Sequence, residues 1–225
     1  MKPPEGAFAQ EARDAVYEAI ARRRDIRSFR TDLTVDDETL GRILAAAHDA
    51  PSVGYSQPWD FVLVREFARR ARIRESFLRC REREAARFSP ERRAHYLSYR
   101  LEGILESSLN VCVTVDLRPG DEPVLGTTAQ PESLRSSVSC AIQNLWLAAR
   151  VEGVGVGWVS IVEPPVLKAE LGLPDGVEPV GYLCVGYPTE FRDRPLLEET
   201  GWRPRRALSE AVHHERWTDS DSRSR

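Results

Sequence analysis

Apolar positions along this chain recur at two periods. Ala15, Val16, Ala19 and Ile20 repeat at helical spacing and predict a helix over about 11–24. Leu40, Ile43, Leu44 and Ala47 do the same over 36–49, behind Thr34 as N-cap with Asp37 three residues on. Short β-rich runs predict strands at 59–64, 110–116, 154–161 and 177–186. Residues 66–108 are dense in Arg and Glu with scattered Phe, Tyr and Leu, and read as two surface helices broken near Ser89-Pro90. Such helices suit a lid, although a charged exposed helix needs no function. The stretch 133–151 has few charges over about five turns, so burial on most sides is expected, in a core or against a second subunit. A short helix starts near Pro165 and stops at Gly172. Helices and strands interleave without a repeat or linker. The expectation is one α+β domain over 11–217, with a loose start over 1–10 and a frayed tail over 218–225.

Composition removes several function classes. The chain has 225 residues, 41% hydrophobic and 30% charged, as is ordinary for a globular protein that buries a sizeable core. A net charge of -3 argues against nucleic-acid binding, which needs a basic excess. No apolar run approaches the roughly 20 residues of a membrane-spanning helix, and the polar start lacks a signal-peptide core. Cys80, Cys112, Cys140 and Cys184 are widely spaced, without a C-x-x-C pair or a His/Cys cluster, so no metal site is expected. The last three stand in apolar surroundings and read as small core fillers, which fits a reducing cytoplasm.

Four clusters carry candidate chemistry. In Arg22-Arg23-Arg24-Asp25-Ile26-Arg27, four guanidinium groups surround one carboxylate at the end of the first helix. Guanidiniums this close repel one another unless an anion neutralises them, and the planar Arg fork suits phosphate; cations at a helix C-terminus also simply complement its dipole. Pro51-Ser52-Val53-Gly54 offers a hydroxyl and free amides, or is an ordinary connection. Gly153 to Ser160 alternates Gly and Val, which bares one face of a strand for tight packing or for a ring lying on the backbone; it lacks dinucleotide-fingerprint spacing. Gly201-Trp202-Arg203-Pro204-Arg205-Arg206 is a second arginine group. His48, on an otherwise apolar helix, reads as structural, and no hydrolytic constellation stands out. Together the clusters are what a phosphorylated planar cofactor requires.

Ordering and spacing of Arg23-Arg24-Asp25-Ile26-Arg27, Ala50-Pro51-Ser52, Gln57-Pro58-Trp59 and Gly155-Val156-Gly157-Trp158-Val159-Ser160 resemble the FMN-dependent nitroreductase superfamily over about residues 11–217. Within it the chain is most similar to the 5,6-dimethylbenzimidazole synthases, in Asp25, in Pro51-Ser52-Val53-Gly54-Tyr55 and in the run from Ile142 to Arg150. The resemblance implies a nitroreductase-like FMN fold, a mainly antiparallel sheet flanked by helices, in an intertwined homodimer with FMN at the interface. It implies that Arg23, Arg24 and Arg27 contact the FMN phosphate, ribityl chain and pyrimidine edge, in a run that includes Asp25 and Ile26. Arg205 would be the C-terminal phosphate ligand, while Ser52, Gly157, Trp158, Val159 and Ser160 would line the isoalloxazine.

The implied reaction fragments reduced FMN with dioxygen into 5,6-dimethylbenzimidazole, the lower ligand of cobalamin, and a phosphorylated four-carbon sugar. Electrons would come from NAD(P)H through a separate flavin reductase. Asp25 would shuttle protons, staying ionised between its arginines, and Ser160 would act near the flavin N5. Arg87 and Ser136 depart from the bulky residues expected over the flavin. That keeps two alternatives: an NAD(P)H-dependent nitroreductase or dehalogenase-like enzyme acting on a small electrophile, and a non-catalytic flavin-binding protein.

Overall fold

The computed structural model describes residues 5–218. All but one residue of the predicted tail and the first four of the predicted loose start lie outside them. The chain divides between Phe191 and Arg192 into two compact units. The larger one carries α1 (Gln10–Arg22), α2 (Asp37–His48), β1 (Trp59–Val64), α3 (Phe67–Ala85), α4 (Pro90–Ser98), β2 (Leu109–Asp116), α5 (Ser133–Val151), β3 (Gly155–Trp158), α6 (Pro164–Leu171) and β4 (Val177–Gly186). Its strands make one antiparallel sheet in the order β1-β2-β4-β3.

Side-chain alternation along a strand sorts the core into two layers. From β2, Leu109, Val111, Val113 and Val115 meet Leu40, Ile43 and Ala47 of α2 and Val138, Ala141, Ile142 and Leu145 of α5. Cys112 of β2 and Tyr182 and Cys184 of β4 point the other way, against Ile73 and Phe77 of α3 and Leu167 of α6. Burial in this second layer pushes the Cys112 and Cys184 thiols up to about 12, so both are inert fillers. The register slips between Val113 and Thr114, opposite Gly181 and Pro179. Proline has no N–H for the ladder, and a bulge lets the sheet pass it.

Several expectations are corrected. The N-cap of α2 is Asp36, not Thr34: its Oδ1 accepts from Thr39 N at 2.7 Å and its Oδ2 from the Thr39 hydroxyl at 2.9 Å. The third strand ends at Trp158, short of 161. The apolar stripe of α1 does not enter this chain's core, since no α1 residue is buried and Val16 and Tyr17 are 52% and 70% exposed. Cys140 is exposed on α5 rather than a core filler. The outer face of that helix (Ser136, Ser139, Cys140 and Gln143) is open, so its burial is one-sided within the chain. His48 is structural, accepting the Trp59 indole N–H at 3.1 Å.

No helix among the described residues is long and apolar enough to cross a membrane. The smaller unit, residues 192–218 of those described, contains one short α-helix, α7 (Leu196–Glu199), with Arg192 paired to Glu199 at 2.9 Å, and a 3-10 turn at Leu208–Glu210.

The cap correction has a measurable consequence. Asp36→Ala will lower unfolding free energy by about 1 kcal/mol, and Thr34→Ala will change it by less than about 0.5 kcal/mol. Urea titration of both variants checks this; equal losses would return the cap to Thr34.

Candidate functional site

α1 ends at Arg22, and Arg23 at its C-cap still donates its N–H to Ala19 O at 3.0 Å. The chain then straightens alongside β3. Asp25 bridges in parallel with Val156, and Ile26 N donates to Val156 O at 3.0 Å. The glycines of β3 are what permit this approach. A Cβ on Gly157 would overlap Ile26 O, and one on Gly155 would stand 2.9 Å from Ile26 Cγ1. Of the two readings of the Gly/Val strand, tight packing therefore holds on this face: it is filled by Ile26 rather than by a ring.

The bridge delivers Asp25 to the end of β3. Its Oδ1 accepts from Trp158 N at 3.0 Å, and its Oδ2 accepts from Arg27 Nη2. The same Arg27 nitrogen donates to Trp158 O at 2.7 Å. Arg27 and Asp25 keep 15% and 41% of their side-chain surface open. The expectation of an easily ionised carboxylate is corrected here. Loss of solvation raises the Asp25 pKa and outweighs, in decreasing order, Arg27, the Trp158 amide and Arg23, each of which lowers it. A carboxyl shifted upward by lost solvation beside cations is a pattern of functional sites.

The other arginines divide between local and outward roles. Arg24 Nη1 turns back onto Ala21 O and Arg23 O, both at 2.8 Å, and so complements the end of α1, as the helix-dipole reading expects. Arg23 lies over the Trp146 ring at 4.7 Å, and desolvation lowers its pKa. The backbone beneath is pinned to α5, by Trp146 Nε1 to Arg24 O at 3.2 Å and Arg150 Nε to Arg22 O at 3.2 Å. Among the described residues Arg27 Nη1 is buried without a hydrogen-bond partner. A buried donor of that kind is an unfilled place for an acceptor, so the segment fits a ligand bearing carbonyl or anionic oxygens.

Ser52 stands on the α2–β1 loop, where its Oγ accepts from Gln57 N at 3.0 Å, and Val53 N donates to Ser137 Oγ of α5 at 3.0 Å. The loop holds Gly54, Tyr55 and Gln57 at φ of 56°, 54° and 44°. Left-handed backbone at two non-glycine residues is strained and marks a tightly set loop. No hydrogen bond among the described residues joins Ser52 to Asp25. Arg205 belongs to the smaller unit, where it is exposed.

Val159 is buried and continues the sheet, donating its N–H to Tyr182 O at 2.8 Å, and Ser160 beyond it is exposed. Ser160 opens on a cleft of about 410 Å³ lined also by Cys80, Arg83 and Arg87 on the α3 side and by Val162 and Glu163. Arg87 and Ser160 thus share one cavity. Trp146 and Glu163 were missed in the sequence: the first looked like core in an apolar helix, and the second like one more surface carboxylate.

The class of this protein is set by the match of residues 20–187 to the nitroreductase family, to which the chain belongs. The chain is similar to 5,6-dimethylbenzimidazole synthase of Rhodospirillum rubrum, 44% identical over 199 residues that span 88% of this chain and 94% of that protein. It is also similar to 5,6-dimethylbenzimidazole synthase of Rhodobacter capsulatus, 35% identical over 87% of this chain and 94% of that one. Among solved structures, iodotyrosine deiodinase bound to FMN and 3-iodo-L-tyrosine superposes with a TM-score of 0.70 at 19% identity, over 90% of this chain and 100% of the other. Nitroreductase A from Vibrio parahaemolyticus does so with a TM-score of 0.68 at 18% identity, over 96% of this chain and 79% of the other. At such identities these two speak for the fold alone.

The raised Asp25 pKa fixes the sign of a stability effect. A carboxyl whose folded pKa lies above its unfolded value stabilises fully below the unfolded pKa, and that contribution is lost as pH rises through the folded one. Asp25→Asn will therefore unfold at a higher urea concentration than the parent at pH 7. The gain will shrink towards zero below the ordinary carboxylate range, about pH 3.9. A variant less stable at pH 7 would show that the arginines win over desolvation.

Proposed function

We propose that this chain is a 5,6-dimethylbenzimidazole synthase, which uses dioxygen to fragment reduced FMN into 5,6-dimethylbenzimidazole and a phosphorylated four-carbon sugar. The carrying observation is Asp25, held by Trp158 N and Arg27 at the end of a glycine-bared strand. It lies in a chain 44% identical to a relative of that name. Reduced FMN supplies, when bound, both the electrons for dioxygen and the carbon skeleton of the product.

The residues then have separable tasks. Arg27 Nη1, the buried donor without a partner, takes an oxygen of the flavin. Arg23 and Arg24 hold the phosphate and ribityl end. Ser52 and the Trp158–Val159 end of the strand support the ring, the glycine-bared face at Gly157 being filled by Ile26. Asp25 accepts a proton at Oδ2 and returns it. Lost solvation shifts the Asp25 carboxyl upward, towards its protonated form, the direction that favours a group acting as base and then acid. The Ser160 hydroxyl holds a proton on the cleft side, and α3 and α4 restrict water there.

FMN lies at the interface of a homodimer. The bare stripe of α1 and the open small-residue face of α5 (Ser136, Ser139, Cys140 and Gln143) support that arrangement, because both are surfaces that one copy leaves uncovered. Electrons come from NAD(P)H through a separate flavin reductase. One observation favours a second reading, an NAD(P)H-dependent oxidoreductase acting on a small electrophile: Arg87 opens into the same cleft as Ser160, where a polar external substrate would find a cation.

Mixing the protein with chemically reduced FMN and air, without nicotinamide, separates the readings by chromatography. The synthase yields dimethylbenzimidazole; reoxidised FMN alone supports the oxidoreductase, and merely slowed oxidation a binding protein. Asp25→Asn will keep FMN affinity within about threefold and lower product by about 100-fold or more, the range of a general acid–base group. Unchanged product would remove Asp25 from the chemistry.

A further inference from the structure

Only the stretch from Val159 to Glu163 joins the end of β3 to α6, and it is clamped at both ends. Val159 donates to Tyr182 O of β4, and the Val162 side chain packs in the α3/α6 layer of the core. At the far end, Glu163 N donates to Ser76 Oγ at 3.2 Å, and Ser76 Oγ donates to Glu163 Oε2 at 3.4 Å. Ser76 is wholly buried on α3. Arg83 Nη2 reaches Glu163 Oε1 at 2.8 Å, and Arg79 Nη2 lies 4.0 Å from Oε2. One carboxylate thus gathers a buried hydroxyl and two guanidiniums from successive turns of α3, directly before the rigid pair Pro164-Pro165. Arg83 also donates to Cys80 Sγ at 3.1 Å, so the cluster forms a wall of the cleft onto which Ser160 opens.

We infer that Glu163 is a positioning residue that fixes the Ser160 turn by fastening it to α3, and so sets where the Ser160 hydroxyl stands during the reaction. The second half of the inference rests on the proposed role of Ser160. Among the described residues Ser160 has no hydrogen bond of its own, so its place is set by the ends of the turn. A second clasp between the same two helices serves as the control. Two turns further along α6, Arg72 Nε donates to Glu170 Oε2 at 2.8 Å, and Arg69 donates to Glu170 O. That clasp ties α3 to α6 as well, but not beside Ser160.

Three variants, Glu163→Gln, Glu170→Gln and Ser160→Ala, test this in FMN-loaded protein with two readouts. The first is amide exchange by mass spectrometry. The second is the fraction of reduced FMN that ends as dimethylbenzimidazole rather than as reoxidised FMN. Glu163→Gln keeps the size and an acceptor but removes the charge that gathers Arg79 and Arg83. It will speed exchange over 160–163 by about tenfold, the scale of one lost charged hydrogen bond, and lower the product fraction about fivefold towards that of Ser160→Ala. Glu170→Gln will loosen the 168–171 segment and leave the product fraction unchanged. The inference falls if Glu163→Gln exchanges as the parent does over 160–163, or if Glu170→Gln lowers the product fraction as much. If Ser160→Ala leaves product intact, or no variant or parent forms it, the functional reading fails on its own, and exchange still decides whether Glu163 holds the turn.

Discussion

The site depends on one close approach: the backbone of Asp25 and Ile26 lying against Val156, in space that only glycine leaves free. Ile26 O occupies the place a Gly157 Cβ would need, so any side chain there displaces the segment. Three consequences follow from that contact. Asp25 is brought to the Trp158 amide, Arg27 is turned inward to bridge Asp25 and Trp158 O, and the arginines before them are drawn over α5. The charged cluster is therefore ordered by an uncharged backbone pairing, not by its own ion pairs. Exposed ion pairs are worth little net energy, whereas hydrogen bonds at a sheet edge and a packed Ile26, 6% exposed, are not readily exchanged for water.

On the other side of the sheet, a few buried contacts turn a charged surface helix into a fixed wall. More than half of α3 is Arg or Glu, yet Ile73, Ser76 and Phe77 are buried. Glu163 and Glu170 fall at the two ends of α6 and are met in reverse order by Arg83, Arg79, Ser76 and then Arg72 and Arg69, so the two helices run antiparallel. α4 follows α3 through Tyr96 to Glu84 at 2.9 Å and Arg81 to Leu97 O at 2.6 Å. Of the helices expected as a lid, α3 is thus fastened to the strand-end turn that carries Ser160 and to α6, and α4 is fastened to α3.

Much of this was legible in the chain. Strands β1 and β4 and helix α5 fall where the apolar runs placed them: β4 buries most of its length, α5 buries one full face, and β1 is buried at both its ends. The break at Ser89-Pro90 held for a local reason: Ser89 caps α4 and Pro90 begins it. The failures share a cause as well. The exposed Cys140 carries the hydrophobicity of a buried position without a partner inside one chain, so pattern alone assigned it to the core. Thr34 and Asp36 are equally good caps by type, and only the hydrogen bonds to Thr39 choose between them. The positive φ of Tyr55 and Gln57 leaves no trace in residue type at all.

The acidity of Asp25 was the least legible property, and it bears most directly on chemistry. Sequence proximity to Arg23, Arg24 and Arg27 suggests a lowered pKa, since neighbours in the chain are taken for neighbours in space. In the fold Arg24 Nη1 turns to the end of α1 and Arg23 lies over Trp146, while Arg27 makes a direct ion pair with Asp25. With fewer cations in contact than in sequence, desolvation prevails and the carboxyl is held closer to its protonated form. That outcome costs folding stability at neutral pH. The same strand that gives up its side chains to admit Asp25 thus places it where lost solvation, and not the nearby cations, sets the direction of its shift.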